Sequence, residues 1–329
     1  MLPSSRFSFL VLLVSVLTLH YGASDDTDPY VPGPYKTAEF TITPADDGAP
    51  MHTTVYFPLT HGTFKPIIFI GGFNGMMSAE YYSVLMHAVA AHGYVVIGME
   101  AMHPYPPEMV FKAHSRRPSK VHGTWDFGVS DLENAYQKYF NQTAWLQANI
   151  NNRTYAIPDW NQKVLMCHSS SCDYTMEMIN QDNEFAKASV FIDPVSAHSV
   201  EMKPIPAKVM TLAYMSQLSE RFPDCCIPGL GYKKIYSLMT CVKVRMQAQN
   251  MGHCDVLDRE LWDMCHKTHV CRSTDSKHLP AYRAFIAGAI HGFLRWTLDG
   301  HKENMKYLTE QQFIPFNLTD IAYNTTCDH

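Results

Sequence analysis

The chain has no Cys-x-x-Cys pair, which removes the usual framework of a structural zinc site. It has no block of basic residues and a net charge of only −5 over 329 residues, so neither nucleic acid nor an anionic membrane surface is an expected partner. Its glycine-rich stretch, Gly71-Gly72-Phe73-Asn74-Gly75, lacks the lysine and the spacing of a phosphate cradle. There is no internal repeat and no low-complexity tract. After the first twenty residues no apolar run is long enough to span a bilayer.

The one long apolar run, Phe9 to Leu19, follows Arg6 and is succeeded by Gly22-Ala23-Ser24 and the acidic Asp25-Asp26. That order is the pattern of a signal peptide cleaved near Ser24, too short to cross a membrane comfortably. Residues 1–24 are expected to be removed and 25–329 to form a single α/β domain with insertions. Four sequons, at Asn141, Asn152, Asn317 and Asn324, agree with passage through the secretory pathway and predict glycosylation. Nine cysteines behind such a signal point to an oxidising compartment and a secreted protein. An odd count leaves a thiol or a bond to another chain, and the crowding between Cys225 and Cys271 suggests bridges that staple an irregular region.

Alternation in Thr37–Ile42 and Thr53–Phe57, across the turn-rich Pro44–Gly48, predicts an antiparallel hairpin. Two continuous apolar runs, Pro66–Ile70 and Tyr94–Met99, suit buried strands of a parallel sheet. Between them Ser78–His92 places Tyr82, Leu85, Met86, Val89 and Ala90 at helical spacing, closed by Gly93. A Pro- and His-rich loop follows from His103 to Gly123, then a helix over Val129–Leu146. Further strands are expected at Val164–Met166, Ala188–Ile192, Val209–Leu212 and Val242–Met246, and a strongly apolar helix at Ala281–Leu298. The alternation implies a mostly parallel central sheet with helices on both faces, opened by an antiparallel hairpin.

Val164 to Cys172 reads as a strand running into a nucleophile elbow with Ser169 at its tip. The positions two before and two after the serine must be small, and here they are Cys167 and Ser171 where glycine is usual. Cys167 and Cys172 are expected to be small fillers rather than a bridge across the turn. A serine hydroxyl needs a base, an orienting acid and donors for the oxyanion. Asp193 closes a buried strand directly before Pro194; Asp173, Asp224, Asp255 and Asp258 close none so cleanly. His253, after Asn250-Met251-Gly252, follows the last predicted strand and can turn back toward the elbow. With seventeen histidines any single choice is weak. His168 should point away from the serine into the fold, and His291 sits mid-helix on an apolar face where core packing suffices. Amides of Phe73 and Ser170 would form the oxyanion hole. Serine, acid and histidine fall in the chain order expected of a hydrolase needing no metal or cofactor.

These residues resemble the chlorophyllase group of α/β-hydrolases, and more distantly the platelet-activating-factor acetylhydrolase and dienelactone hydrolase relatives. The likeness runs through Ile67–Glu100, resumes at His168-Ser169, Ile192–Val195 and Phe222–Cys226, and is most specific at Gly252-His-Cys-Asp-Val-Leu-Asp258. It implies Ser169 as nucleophile, Asp193 as acid, His253 as base, and a bridge from Cys225 or Cys226, with Cys226 preferred, to Cys241. It departs at the elbow, where Gly-His-Ser-Arg-Gly-Gly has become Cys167-His-Ser-Ser-Ser-Cys172. The expected activity is a serine esterase acting on a small apolar ester, such as a phytyl or fatty ester, without stable membrane insertion. A catalytically silent fold that binds an apolar ligand, and a phospholipase or acetylhydrolase acting on short-chain phospholipids, are the alternatives. The many Tyr and Met residues could line such a pocket, although core packing is the favoured account of them.

Overall fold

The computed structural model describes residues 28–75, 77–100, 132–195, 203–205, 208–221, 225–226, 228–229 and 231–327. The leader at 1–24, the whole of the His103–Gly123 loop, the first residues of the helix expected over Val129–Leu146, and Asp224 lie outside them. Strand β1 (Thr37–Ile42) pairs antiparallel with β2 (His52–Pro58), and β2 antiparallel with β4 (Tyr94–Glu100). From there the sheet is parallel through β3 (Gly62–Ile70), β6 (Val164–His168), β7 (Ala188–Ile192), β8 (Met210–Ser216) and β9 (Lys243–Ala248). With the last strand, β10 (Leu318–Asn324), the strand order is β1-β2-β4-β3-β6-β7-β8-β9-β10, and the short β5 (Ala156–Pro158) lies beside β3. This is a mixed, mainly parallel sheet of an α/β-hydrolase type, as expected.

Several elements, among them the two that follow, are not anticipated by the sequence. The segment Pro44–Asp47 is a turn of helix, not an irregular turn, because Thr43 caps it by accepting from the Asp46 amide and Pro44 enters its first turn. The edge strand β10 (Leu318–Asn324) adds antiparallel to β9. Its residues are half-buried or exposed and carry little apolar alternation, so periodicity did not single it out.

Side chains alternate through the central strands and divide the core into two layers. Ile67, Phe69, Val164, Met166, Val190 and Ile192 face the layer with α1 (Ser83–Ala91) and α6 (Leu279–Leu298). Ile68, Ile70, Leu165, Cys167 and Phe191 face the opposite layer, with α2 (Leu132–Asn149) and α3 (Cys172–Gln181). Two further helices are α4 (Tyr232–Leu238) and α5 (Arg259–Thr268), and single helical turns lie at Gly72–Gly75 and Lys306–Thr309. The predicted helix at Ser78–His92 is divided, since a 3-10 turn at Ala79–Tyr82 precedes α1. Many tyrosines and methionines pack these layers, among them Tyr56, Tyr139, Tyr232, Met86, Met166 and Met176. No described helix is long and apolar enough to cross a membrane.

Four disulfides join Cys167 to Cys172, Cys225 to Cys271, Cys241 to Cys327 and Cys254 to Cys265. The expected Cys226 to Cys241 bridge is therefore wrong: Cys241 sits at the foot of β9, where its neighbour is the end of β10. Cys226 keeps its thiol. The expectation that Cys167 and Cys172 are mere fillers is also overturned, since their Cα atoms lie 5.1 Å apart and the two are bonded.

Candidate active site

Strands β3, β6 and β7 all end at the same edge of the sheet, and each leads into a residue with left-handed backbone. Five described residues other than glycine have positive φ, and three of them are Phe73 (52°), Ser169 (61°) and Asp193 (42°). Such angles cost of order 1–3 kcal/mol each for a side-chain-bearing residue and persist only where the surroundings fix them. Ser169 follows β6 directly and opens a 3-10 turn, Ser169–Ser171, that leads into α3. This strand, sharp turn and helix form the elbow anticipated from the sequence.

The lost glycines are replaced by side chains that bind the turn. Cys167 on β6 is bonded to Cys172 at the start of α3, closing a covalent loop around Ser169. The Ser171 hydroxyl lies 2.8 Å from the Ile70 carbonyl and 2.6 Å from that of His168, and shares its one proton between them. The backbone of Val195 donates to the Ser169 carbonyl at 3.2 Å. Ser169 itself is only half-buried, so its hydroxyl is within reach of solvent.

His253 lies in a 3-10 turn, His253–Val256, beyond β9, with its Nε2 2.9 Å from Ser169 Oγ. Asp255 holds this loop: its carboxylate accepts from the Gly252 amide (2.6 Å), the Thr274 amide and Trp262 Nε1 (2.8 Å). Burial pushes Asp255 up to about 6 despite those bonds. Arg283, on α6, donates to the carbonyls of Asp255 and Leu257. Asp258 accepts from the Val84 amide at the start of α1 (3.3 Å). The rivals Asp255 and Asp258 are thus engaged in building the loop, and Asp173 is buried in the first turn of α3.

Asp193 is fully buried at the end of β7 and accepts from the Ser216 amide (2.5 Å) and Ser216 Oγ (2.6 Å), with Ser219 bonded to Ser216 in turn. Burial pushes its carboxyl up to about 7, against the lowering effect of those hydrogen bonds. Its carboxylate and the ring nitrogens of His168 and His253 lie within 4.8 Å of one another. The Cys226 sulfur lies 3.4 Å from His253 Nδ1 and also reaches the Asp193 carbonyl at 3.6 Å. Sequence reasoning gave no hint of Ser216 or Ser219, and it read Cys226 as a disulfide partner rather than a neighbour of His253; all three come from segments whose approach depends on strand order.

His168 is buried, yet not in purely apolar surroundings. Tyr82 OH is 2.8 Å from its Nδ1, and its Nε2 is 3.2 Å from the His253 carbonyl. With both nitrogens taken, His168 is poorly placed to join Asp193 and His253 in holding a metal ion. His291 is half-buried, bonds Tyr94 OH (3.0 Å) and stacks on His92. On the oxyanion side, a Cβ built on Gly72 would come 3.4 Å from Ser169 Cβ and 3.2 Å from His168 Nδ1, so the loop bearing Phe73 lies against the elbow. Phe73 and Ser170 thereby sit on adjoining turns at the strand edge.

Of the sequons, Asn141, Asn152 and Asn317 are exposed and Asn324 is half-buried.

The family model described as Chlorophyllase matches residues 26–113 and 192–325. The chain is similar to Chlorophyllase-1 of Arabidopsis thaliana, 20% identical over 84% of this chain and 86% of that one. It is likewise similar to a chloroplastic Chlorophyllase-1 of Citrus unshiu, at 22% identity over 88% and 87%. The matched residues break off before the elbow and resume after it, where the chain's Cys167–Cys172 departs from the glycine pattern. Over most of its length, then, the chain belongs to the chlorophyllase family of α/β-hydrolases.

Proposed function

We propose that the protein is a serine ester hydrolase that acts through an acyl-enzyme on an apolar carboxylic ester. The observation that carries the reading is the 2.9 Å contact between His253 Nε2 and the hydroxyl of Ser169, a residue held at φ 61° on a strand-to-helix turn. A neutral imidazole at that distance takes the serine proton as the oxygen attacks the ester carbonyl. Amides of Phe73 and Ser170 then stabilise the tetrahedral oxyanion. The imidazolium returns its proton to the leaving alcohol, and water repeats the sequence to free the acid.

Asp193 is the acid in this reading. It stabilises the imidazolium from a buried position within 4.8 Å of the ring. The substrate class follows from the family: a phytyl ester of a chlorophyll-type pigment, or a related fatty ester. The apolar run at Phe9–Leu19, the sequons at Asn141, Asn152, Asn317 and Asn324, and four disulfides support secretion with glycosylation.

The test is hydrolysis of phytyl, acetyl and p-nitrophenyl esters, and of a short-chain phospholipid, by wild type, Ser169→Ala and His253→Ala. We expect phytyl or long-chain esters to be preferred and both variants to lose at least about 10³-fold in kcat. Equal rates for wild type and His253→Ala would remove His253 as base, and preference for the phospholipid would move the protein to the acetylhydrolase-like reading.

A further inference from the structure

We propose that Tyr82 and His168 form a positioning pair that sets the oxyanion loop and the base loop against the nucleophile. The inference rests on the ester-hydrolase reading above and assigns roles to two residues outside its triad.

The hydrogen bonds leave one consistent arrangement of protons. The Gly72 amide can only donate, and it lies 2.9 Å from Tyr82 Oη, which therefore accepts. The His253 carbonyl can only accept, so His168 Nε2 carries the proton at 3.2 Å. Burial, and then the neighbouring His253, hold His168 well below its ordinary pKa, so the ring is neutral. A neutral ring protonated on Nε2 has a bare Nδ1, which accepts from Tyr82 OH at 2.8 Å. The chain of donors runs from Gly72 N–H to Tyr82 O–H to His168, and from His168 N–H to the backbone of His253.

Each end of that chain is a part of the site. Gly72 immediately precedes Phe73, whose amide is the expected oxyanion donor. His168 immediately precedes Ser169. The His253 carbonyl belongs to the residue whose ring contacts Ser169 Oγ. Tyr82 and His168 are both almost fully buried, and their rings meet edge to face with centroids 5.5 Å apart. The two imidazoles of His168 and His253 lie side by side at 4.6 Å. Both ring nitrogens of His168 and the one hydroxyl proton of Tyr82 are committed in the arrangement, so a shift of one segment strains the bonds of the others. Three separate loops, after β3, β6 and β9, are thus registered through one buried ring that touches no substrate.

Removing the Tyr82 hydroxyl takes the acceptor from Gly72 N–H and the donor from His168 at once, while the ring that fills the core remains. Tyr82→Phe is expected to lower kcat about ten- to a hundredfold through misaimed donors, with KM held within about twofold. Rates are to be taken per site that reacts with a fluorophosphonate, which separates slow sites from unfolded ones. His168→Gln, which can still donate to the His253 carbonyl and accept from Tyr82, should retain much more activity than His168→Leu. Wild-type turnover per labelled site in Tyr82→Phe, or equal damage in His168→Gln and His168→Leu, overturns the proposal.

A second readout does not need turnover. Nitrogen-15 spectra of the imidazoles should show His168 as the Nε2-protonated tautomer, and Tyr82→Phe should move both the His168 Nδ1 and the His253 ring signals. An unmoved His253 signal counts against the pair. A wild type that neither labels nor hydrolyses any ester removes the hydrolase reading instead, and the spectra then decide the network by themselves.

Discussion

Asp193 and Glu100 are carboxyls that folding has made hard to ionise, and each sits at the end of a buried strand. Burial pushes both up to about 7, although hydrogen bonds to each charged form pull the other way. Because the folded-state values exceed those of an unfolded chain, near 4, the folded protein holds more protons across that interval. Their contribution to stability is full below about 4 and is lost as pH rises through about 7. Glu100 allows a clean check: Oε1 accepts from Thr54, Ser78 and the Ala79 amide, while Oε2 is buried without a hydrogen bond, 3.7 Å from His52 Nε2. Glu100→Gln keeps the accepting oxygen and removes the titration. Thermal melts of the variant should decline less between pH 5 and pH 8 than those of wild type, leaving it about 2 °C or more higher at pH 8; identical slopes would contradict the assignment. For Asp193 the sign on activity is opposite, since the imidazolium needs the ionised form. The kcat profile is expected to rise through about pH 7, and Asp193→Asn to lose that rise along with about 10³–10⁴-fold of activity. A profile in which Asp193→Asn keeps the same inflection would assign it to another group.

The loops at the carboxyl edge of the sheet differ from a glycine-built elbow in how they are fixed. Cys167 and Cys172 replace two small positions with a covalent link, and Ser171 replaces a third with a hydroxyl that bonds two carbonyls. A bridge around so few residues constrains the unfolded chain by about 2 kcal/mol. Cys167→Ala/Cys172→Ala is therefore expected to melt earlier by about that amount and to label more slowly at Ser169, measured by chemical denaturation and fluorophosphonate kinetics. Unchanged labelling would show that Ser171 and the Val195 amide suffice to hold the turn. The strands and helices that position these loops were legible because their apolar runs and 3.6-residue spacing are strong, as in Pro66–Ile70 and Ala281–Leu298. The bridge at the elbow was not, because two cysteines five apart read equally well as small residues until the turn brings their Cα atoms together. Nor was the role of His168: its burial followed from the elbow, but its partners Tyr82 and His253 come from distant segments that no local pattern joins.

At the scale of the molecule, the order of serine, acid and histidine along the chain anticipated their meeting because parallel strands place successive loops at one edge. The disulfide map did not follow, since pairing depends on which loops lie beside each other. The link from Cys241 to Cys327 joins the foot of β9 to the end of β10 and spans 86 residues. In the chain-entropy account a link of that span stabilises by about 4–5 kcal/mol. Cys327→Ser should accordingly cost stability in a denaturant titration while leaving kcat per labelled site intact, because β10 is the strand farthest from the elbow in that half of the sheet. The central claim, that Ser169 is a nucleophile activated by His253, is tested most directly by mass spectrometry of the protein after exposure to a fluorophosphonate. The account predicts one adduct, located on Ser169, abolished by Ser169→Ala and slowed at least about 10³-fold by His253→Ala. An adduct on another residue, or none on the folded wild type, would contradict it.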